Sequence, residues 1–113
     1  MHELTITQGI LSIVLQKARE IQAKKITRVE IQLGRLTGYV PECIQLQFAI
    51  LSKGTAASGA CLIFNQPSTR LYCRKCQKDY SSDSFDLACP ECYTLEMDIL
   101  SGQELYVESM EAE

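Results

Sequence analysis

The sequence has no long apolar run, no surplus of positive charge and only one histidine. None of its apolar stretches approaches the roughly 20 residues needed to span a bilayer, which argues against a membrane protein. Lysine and arginine total 11 against 14 acidic residues, so the electrostatic footprint of a nucleic-acid-binding protein is missing. The start, Met1 to Leu4, has neither a basic segment nor an apolar core of a secretory signal. We therefore predict a cytoplasmic protein without membrane or nucleic-acid partners.

Periodicity predicts that the chain begins with a helix. Apolar residues recur at helical spacing over residues 5–25. Thr5 and Gln8 match a capping box, which would place His2 and Glu3 just before the helix. A chain of 113 residues has room for one modest core and a small appendage, so this helix is expected to cover the main sheet.

Further along the chain, the pattern alternates between strand and helix. Polar and apolar residues alternate over 28–33, which predicts a half-buried strand. Pro41 suits the first turn of a second helix, and the apolar run 60–64 predicts a strand covered on both faces. Alternation beyond Gly102 predicts a last strand that returns to the first sheet. The predicted fold class is therefore α+β, a small mixed α/β domain with a three-stranded sheet and two helices.

Four of the six cysteines form two CxxC pairs separated by twelve residues. They are Cys73, Cys76, Cys89 and Cys92. Zinc favours four thiolates in a tetrahedron, and such a closed site leaves no position for a catalytic water. Free or redox-active cysteines are the alternative, but two pairs at this spacing favour a structural zinc site. The remaining cysteines, Cys43 and Cys61, are predicted to be small core side chains without a chemical role.

The composition changes around the CxxC pairs, where Cys, Tyr, Asp and Ser replace Leu and Ile. This change indicates an inserted, zinc-ribbon-like four-cysteine module. We predict a zinc-binding domain at residues 67–100 and an α/β domain formed by residues 1–66 plus 101–113. Because so small a module has little core, metal binding would supply much of its folding free energy.

The amino terminus carries the only histidine, His2. Its imidazole and amide nitrogen, together with the amine of Met1, can chelate one ion, and this nitrogen-rich arrangement suits nickel(II) or copper(II) better than zinc(II). Glu3 can add an oxygen ligand or support the ligands from behind. The spacing taken by itself favours the alternative, an exposed, mobile terminus without a metal.

Several short stretches, spread over nearly the whole chain, resemble the HypA/HybF family. They are Met1 to Leu4, Gln8 to Ile10, Gly34 to Gly38 with Pro41 and Glu42, the two CxxC pairs, and Ser101 to Leu105. Members of that family are nickel metallochaperones of [NiFe]-hydrogenase maturation, and some also supply urease assembly. The resemblance implies that Met1, His2 and Glu3 bind transferable Ni(II) and that the four cysteines hold structural Zn(II). It also implies work with an accessory GTPase and the hydrogenase large subunit, as a monomer or homodimer.

The leading hypothesis is therefore a non-enzymatic nickel carrier. One rival is a zinc-ribbon module for interaction or nucleic-acid binding, which the CxxC pairs alone permit but the acidic charge disfavours. Another is a thiol oxidoreductase, for which a single CxxC would be enough. Hydrolytic zinc catalysis lacks a ligand set that leaves an open position.

Overall fold

A computed structural model describes residues 3–113, so Met1 and His2 lie outside the described residues. The elements in chain order are α1 (Glu3–Glu20), β1 (Ile26–Leu33), a short 3₁₀ helix (Arg35–Thr37), α2 (Pro41–Leu51), β2 (Cys61–Asn65), β3 (Thr69–Cys73), β4 (Lys78–Ser82), β5 (Met97–Ser101) and β6 (Leu105–Ala112). The fold is thus mixed α/β, as predicted. No helix within residues 3–113 is long and apolar enough to cross a membrane.

The chain divides into two compact units. The first unit contains Met1–Gln32, Gly38–Asn65 and Tyr106–Glu113, and the second unit contains Leu33–Thr37 and Gln66–Leu105. The second unit therefore includes two segments, 33–37 and 101–105, that the predicted boundaries assign to the α/β domain. Their inclusion follows from backbone hydrogen bonds, since Gly34 N donates to Glu104 O over 2.7 Å and Leu36 N donates to Gly102 O over 2.8 Å.

Helix α1 buries one stripe of side chains against the core of the first unit. Thr7, Ile10, Val14 and Ala18 are all at most 5% exposed, and their spacing of three and four residues is that of one helix face. The predicted capping box at Thr5 is wrong, because Thr5 lies inside α1.

The same helix also ends earlier than the predicted residue 25, at Glu20. Gln22 adopts a left-handed backbone (φ 55°), and Ala23 N donates to Ala18 O over 2.9 Å, which closes the last turn. Ile21, an apolar residue within the predicted helix, lies beyond the observed end and is 50% exposed.

The sheet of the first unit has the strand order β2-β1-β6. Strand β1 lies in the centre and buries Val29, Ile31 and Leu33, as its alternation predicts. Strand β2 pairs with it in parallel, and α2 forms part of the crossover between them. Helix α2 starts at Pro41 as predicted and buries Ile44 and Phe48.

Strand β2 differs from its prediction. It lies at an edge of the sheet, and only Leu62 among its five residues is buried. The prediction of a strand covered on both faces is therefore wrong. Cys61 and Cys43 are exposed rather than part of the core, because β2 begins at an open edge and Cys43 lies on the outer face of α2.

The second unit has a sheet of its own with the strand order β4-β3-β5, in which both pairings are antiparallel. The central strand β3 buries Thr69, Leu71 and Cys73 on one face. Cys73 is its last residue, so the first CxxC pair begins where the sheet ends.

Candidate metal centre

The first CxxC pair forms the tight turn between β3 and β4. After Cys73 and Cys76 the chain reverses at Gln77, whose backbone is left-handed (φ 55°). Gln77 N donates to Cys73 O over 2.7 Å, and Cys76 N lies 3.3 Å from Cys73 Sγ. The turn therefore directs both thiols of the pair towards one point.

The second CxxC pair repeats this local structure. Tyr93, which follows Cys92 as Gln77 follows Cys76, is also left-handed (φ 61°) and donates its N–H to Cys89 O over 2.9 Å. Cys92 N lies 3.5 Å from Cys89 Sγ. The two turns are thus near copies of each other, although no glycine marks the left-handed position in either one.

The four cysteine sulfurs come together as the spacing predicts. All four Sγ atoms lie within 4.8 Å of one another, with 3.7 Å between Cys73 and Cys92 and 3.9 Å between Cys76 and Cys89. A tetrahedral ion bound through sulfur at about 2.3 Å separates its ligands by about 3.8 Å. Cys73 and Cys89 are fully buried, so this four-cysteine site fits a closed metal centre rather than an open catalytic one.

The surroundings of the four-cysteine site shift the pKa values of its thiols in different directions. Burial and, to a smaller extent, hydrogen bonds to the neighbouring cysteines raise the pKa of Cys76 to about 12. Burial also raises the pKa of Cys89, but the amides of Cys92 and Glu91 near its sulfur outweigh this effect and lower the pKa to about 6. A divalent cation bound at this site would supply the positive charge that holds the four cysteines as thiolates.

Charged side chains around the site pair with one another. Lys78 Nζ lies 3.5 Å from Glu91, and Arg74 Nε donates to Asp98 over 3.0 Å. The Arg74 side chain is 72% exposed and binds the Asp98 carboxylate at the surface. Tyr93, which follows the second CxxC pair, is 78% exposed.

Of the three predicted nickel ligands, only Glu3 belongs to the described residues. It is 3% exposed, and its Oε2 accepts a hydrogen bond of 3.0 Å from Val40 N. This bond lowers the pKa of the carboxyl group, although burial opposes the shift. The hydroxyl of Thr7 lies 2.7 Å from Glu3 O and 2.9 Å from Gln47 Oε1 on α2, and it donates its single proton to one of these two oxygens.

The anchoring of Glu3 by Val40 is a contact that sequence reasoning missed. The amide of Val40 stands just before α2, 37 residues further along the chain. No residue pattern signals such a bond, because every amide looks alike in a sequence. Any role of Glu3 in metal binding must therefore be compatible with a carboxylate that already has a backbone donor.

A helix-covered three-stranded sheet and a separate four-cysteine module with its own sheet define a small, two-unit metal-binding protein. The family model described as hydrogenase/urease nickel incorporation, metallochaperone, hypA matches residues 1–112. The chain therefore belongs to the HypA family of nickel metallochaperones, as the resemblance in its motifs predicts.

Relatives and solved structures agree with this assignment. The hydrogenase maturation factor HypA of Dehalococcoides mccartyi is 35% identical over 113 residues, which cover 100% of this chain and 95% of the relative. That of Aquifex aeolicus is 34% identical, with 100% and 98% covered. The solution structure of the Ni metallochaperone HypA from Helicobacter pylori superposes with a TM-score of 0.66 at 21% identity, covering 99% of this chain and 97% of that one. At this identity the superposition shows a shared fold alone.

Proposed function

We propose that this chain binds Ni(II) through Met1, His2 and Glu3 and delivers it during [NiFe]-hydrogenase maturation or urease assembly. The observation that carries the proposal is the family match, which includes residue 1 and extends to residue 112. The chemistry agrees, because the imidazole and backbone nitrogens at this end of the chain suit nickel(II). Delivery then proceeds by ligand exchange, without an enzymatic step.

Glu3 has a specific place in this proposal. Its carboxylate is buried and accepts a hydrogen bond from Val40 N, so it ties the start of α1 to the residue just before α2. We propose that it supports the nickel ligands from behind or offers its second oxygen to the ion. The nickel-binding domain is proposed to comprise residues 1–66 plus 101–113.

Calorimetric titration with nickel(II) tests the nickel site. His2→Ala, or an extension placed ahead of Met1, is expected to abolish binding at this site, and unchanged affinity in both would refute the proposal. Glu3→Gln separates the two roles of Glu3, because the amide oxygen can still accept from Val40 N while the negative charge is lost. Retained affinity in this variant assigns a supporting role, and a loss equal to that of Glu3→Ala assigns a ligand.

We propose further that Cys73, Cys76, Cys89 and Cys92 hold structural Zn(II) within a zinc-binding domain at residues 67–100. The support is the sulfur spacing of 3.7 and 3.9 Å, which fits one tetrahedral ion. Such a site has no open position for a substrate, which agrees with a carrier rather than an enzyme. Elemental analysis of untagged protein is expected to find one zinc per chain, and four freely titratable thiols would refute this assignment.

The proposed partners are the accessory GTPase of hydrogenase maturation and the hydrogenase large subunit, in the cytoplasm, with the chain acting as a monomer or homodimer. This proposal rests on the family match alone. Nickel transfer from the loaded chain to metal-free large subunit, measured with and without the GTPase, tests it. Transfer no faster than from free nickel(II) would count against delivery.

A further inference from the structure

An open apolar groove lies beside the last strand of the first unit. Its walls are Ile13, Lys17 and Ile21 of α1 and the segment 107–110 of β6, and its volume is about 270 Å³. Ile13 and Ile21 are 54% and 50% exposed, although both are large and apolar. We name this space, with these lining residues, the α1–β6 groove. The proposed nickel-binding function makes no use of it.

The strand that borders the groove has an open edge. β6 is eight residues long and lies at the end of the β2-β1-β6 sheet, so within residues 3–113 it pairs with β1 alone. Proteins commonly protect such edges with proline, lysine or very short strands, because free amides and carbonyls are templates for further pairing. β6 is long and contains neither lysine nor proline. It therefore remains competent to accept another strand.

The two faces of β6 differ in chemistry. Val107 is half-buried and lines the α1–β6 groove. Glu108, the next residue of the strand, points to the opposite face, where it accepts a hydrogen bond from Gln32 of β1. A strand added beside β6 would meet apolar side chains on the groove side and the Glu108 carboxylate on the other side.

The charge of this region decides between two kinds of occupant. β6 carries Glu108 and Glu111 and contains no lysine or arginine. If a second copy of this chain added its own β6, like charges would stand opposite each other, which destabilises strand pairing. A strand with basic side chains would instead find opposite charge along the same edge.

We propose that the outer edge of β6 and the α1–β6 groove bind an extended segment of another protein in which apolar and basic side chains alternate. The segment adds to β6 as a further strand of the β2-β1-β6 sheet. Main-chain hydrogen bonds to β6 hold it, its apolar side chains enter the groove, and its basic side chains lie on the opposite face beside Glu108. The partner segment is thus recognised by the alternation of its apolar and basic side chains and by its positive charge.

The probe for this proposal is a synthetic peptide of alternating lysine and valine with the eight-residue length of β6. In a nuclear magnetic resonance titration at low salt, it is expected to shift the amides of β6 and the methyl groups of Ile13 and Ile21. A peptide of alternating glutamate and valine should produce no shifts. A lysine-valine peptide that is N-methylated at each peptide nitrogen keeps charge and hydrophobicity but cannot pair as a strand, and it should also produce none.

Matched substitutions locate the binding. Ile13→Gln is expected to weaken the lysine-valine peptide by about tenfold, because one apolar contact of the groove is lost. Leu46→Gln, which changes a 64% exposed residue on α2 away from the groove, should leave its affinity unchanged. Both changes are at exposed positions, and an unchanged amide spectrum confirms that each variant is folded.

Three results would overturn the proposal. If the N-methylated peptide bound as tightly as the unmethylated lysine-valine peptide, binding would not involve strand addition. If Leu46→Gln weakened binding as much as Ile13→Gln, the peptide would bind outside the α1–β6 groove. A concentration-dependent dimer in sedimentation equilibrium that Ile13→Gln abolishes and Leu46→Gln does not, with no peptide binding, would assign the edge to a second copy of this chain.

Discussion

Replacement of Gly34 by alanine is expected to destabilise the second unit. A Cβ at Gly34 would overlap the carbonyl group of Gly102 and lie 2.7 Å from Gln103 N. All these atoms belong to the backbone, so no rotamer change relieves the overlap and the two segments must separate. Separation weakens the bonds from Gly34 N to Glu104 O and from Leu36 N to Gly102 O.

The expected loss combines overpacking, about 1–3 kcal/mol, with two weakened hydrogen bonds at about 1 kcal/mol each, which gives roughly 3 kcal/mol or more. Urea unfolding of the metal-loaded protein, followed by circular dichroism, measures it as a lower midpoint. Gly9→Ala is the matched control. Its added Cβ meets nothing within 4 Å, and alanine is favoured over glycine inside a helix such as α1. The free energy of unfolding is therefore expected to rise by about 0.5–1 kcal/mol. A Gly34→Ala midpoint equal to that of the wild type would refute the close-approach reasoning.

Four further outcomes follow from single contacts. Thr7→Val should cost about 0.5–1.5 kcal/mol in urea unfolding, because it removes the buried hydroxyl that donates to Glu3 O or Gln47 Oε1. Thr69→Val should be close to neutral, because the buried Thr69 hydroxyl bonds to no residue in the described part of the chain, and a loss like that of Thr7→Val would contradict this. Phe48→Ala, at a position 1% exposed, should cost about 3–5 kcal/mol in the same assay. Cys89→Ser should lower the metal content of the protein, measured by elemental analysis. It should also remove hydrogen-exchange protection from β3 but not from β1. Protection retained in both strands would mean that a metal does not stabilise the second unit.

Local periodicity predicted the first unit well because its signals lie in neighbouring residues. The buried stripe with Ile10, Val14 and Ala18 and the alternation of β1 both reflect the geometry of a single element. The predictions that were wrong concern features that depend on tertiary structure rather than on neighbouring residues. The exposure of Cys61 depends on β2 lying at the edge of the sheet, and strand order is not encoded in the pattern of one strand.

The four-cysteine site was predictable and the sheet that presents it was not. The CxxC spacing limits the chain to two tight turns whose thiols converge, and the sulfur distances confirm the convergence. Strands β3, β4 and β5 have only five residues each, and β4 is largely polar, so their alternation is too short to detect. The left-handed positions Gln77 and Tyr93 were missed as well, because neither is a glycine or asparagine.

The hydrogen bonds of Gly34 and Arg35 also bear on the order in which the chain assembles. β6 must pair with β1 although residues 66–104 separate it from β2, and closing so long a loop costs conformational entropy. Arg35 Nη2 donates to Gln66 O over 2.8 Å and Gly34 N donates to Glu104 O, so the folded insert has its two ends fastened to one short segment that directly follows β1. Once the insert has folded, the remaining loop closure is short. A metal ion that stabilises the insert would therefore also favour the pairing of β6 with β1, because the folded insert brings the start of β6 next to the end of β1.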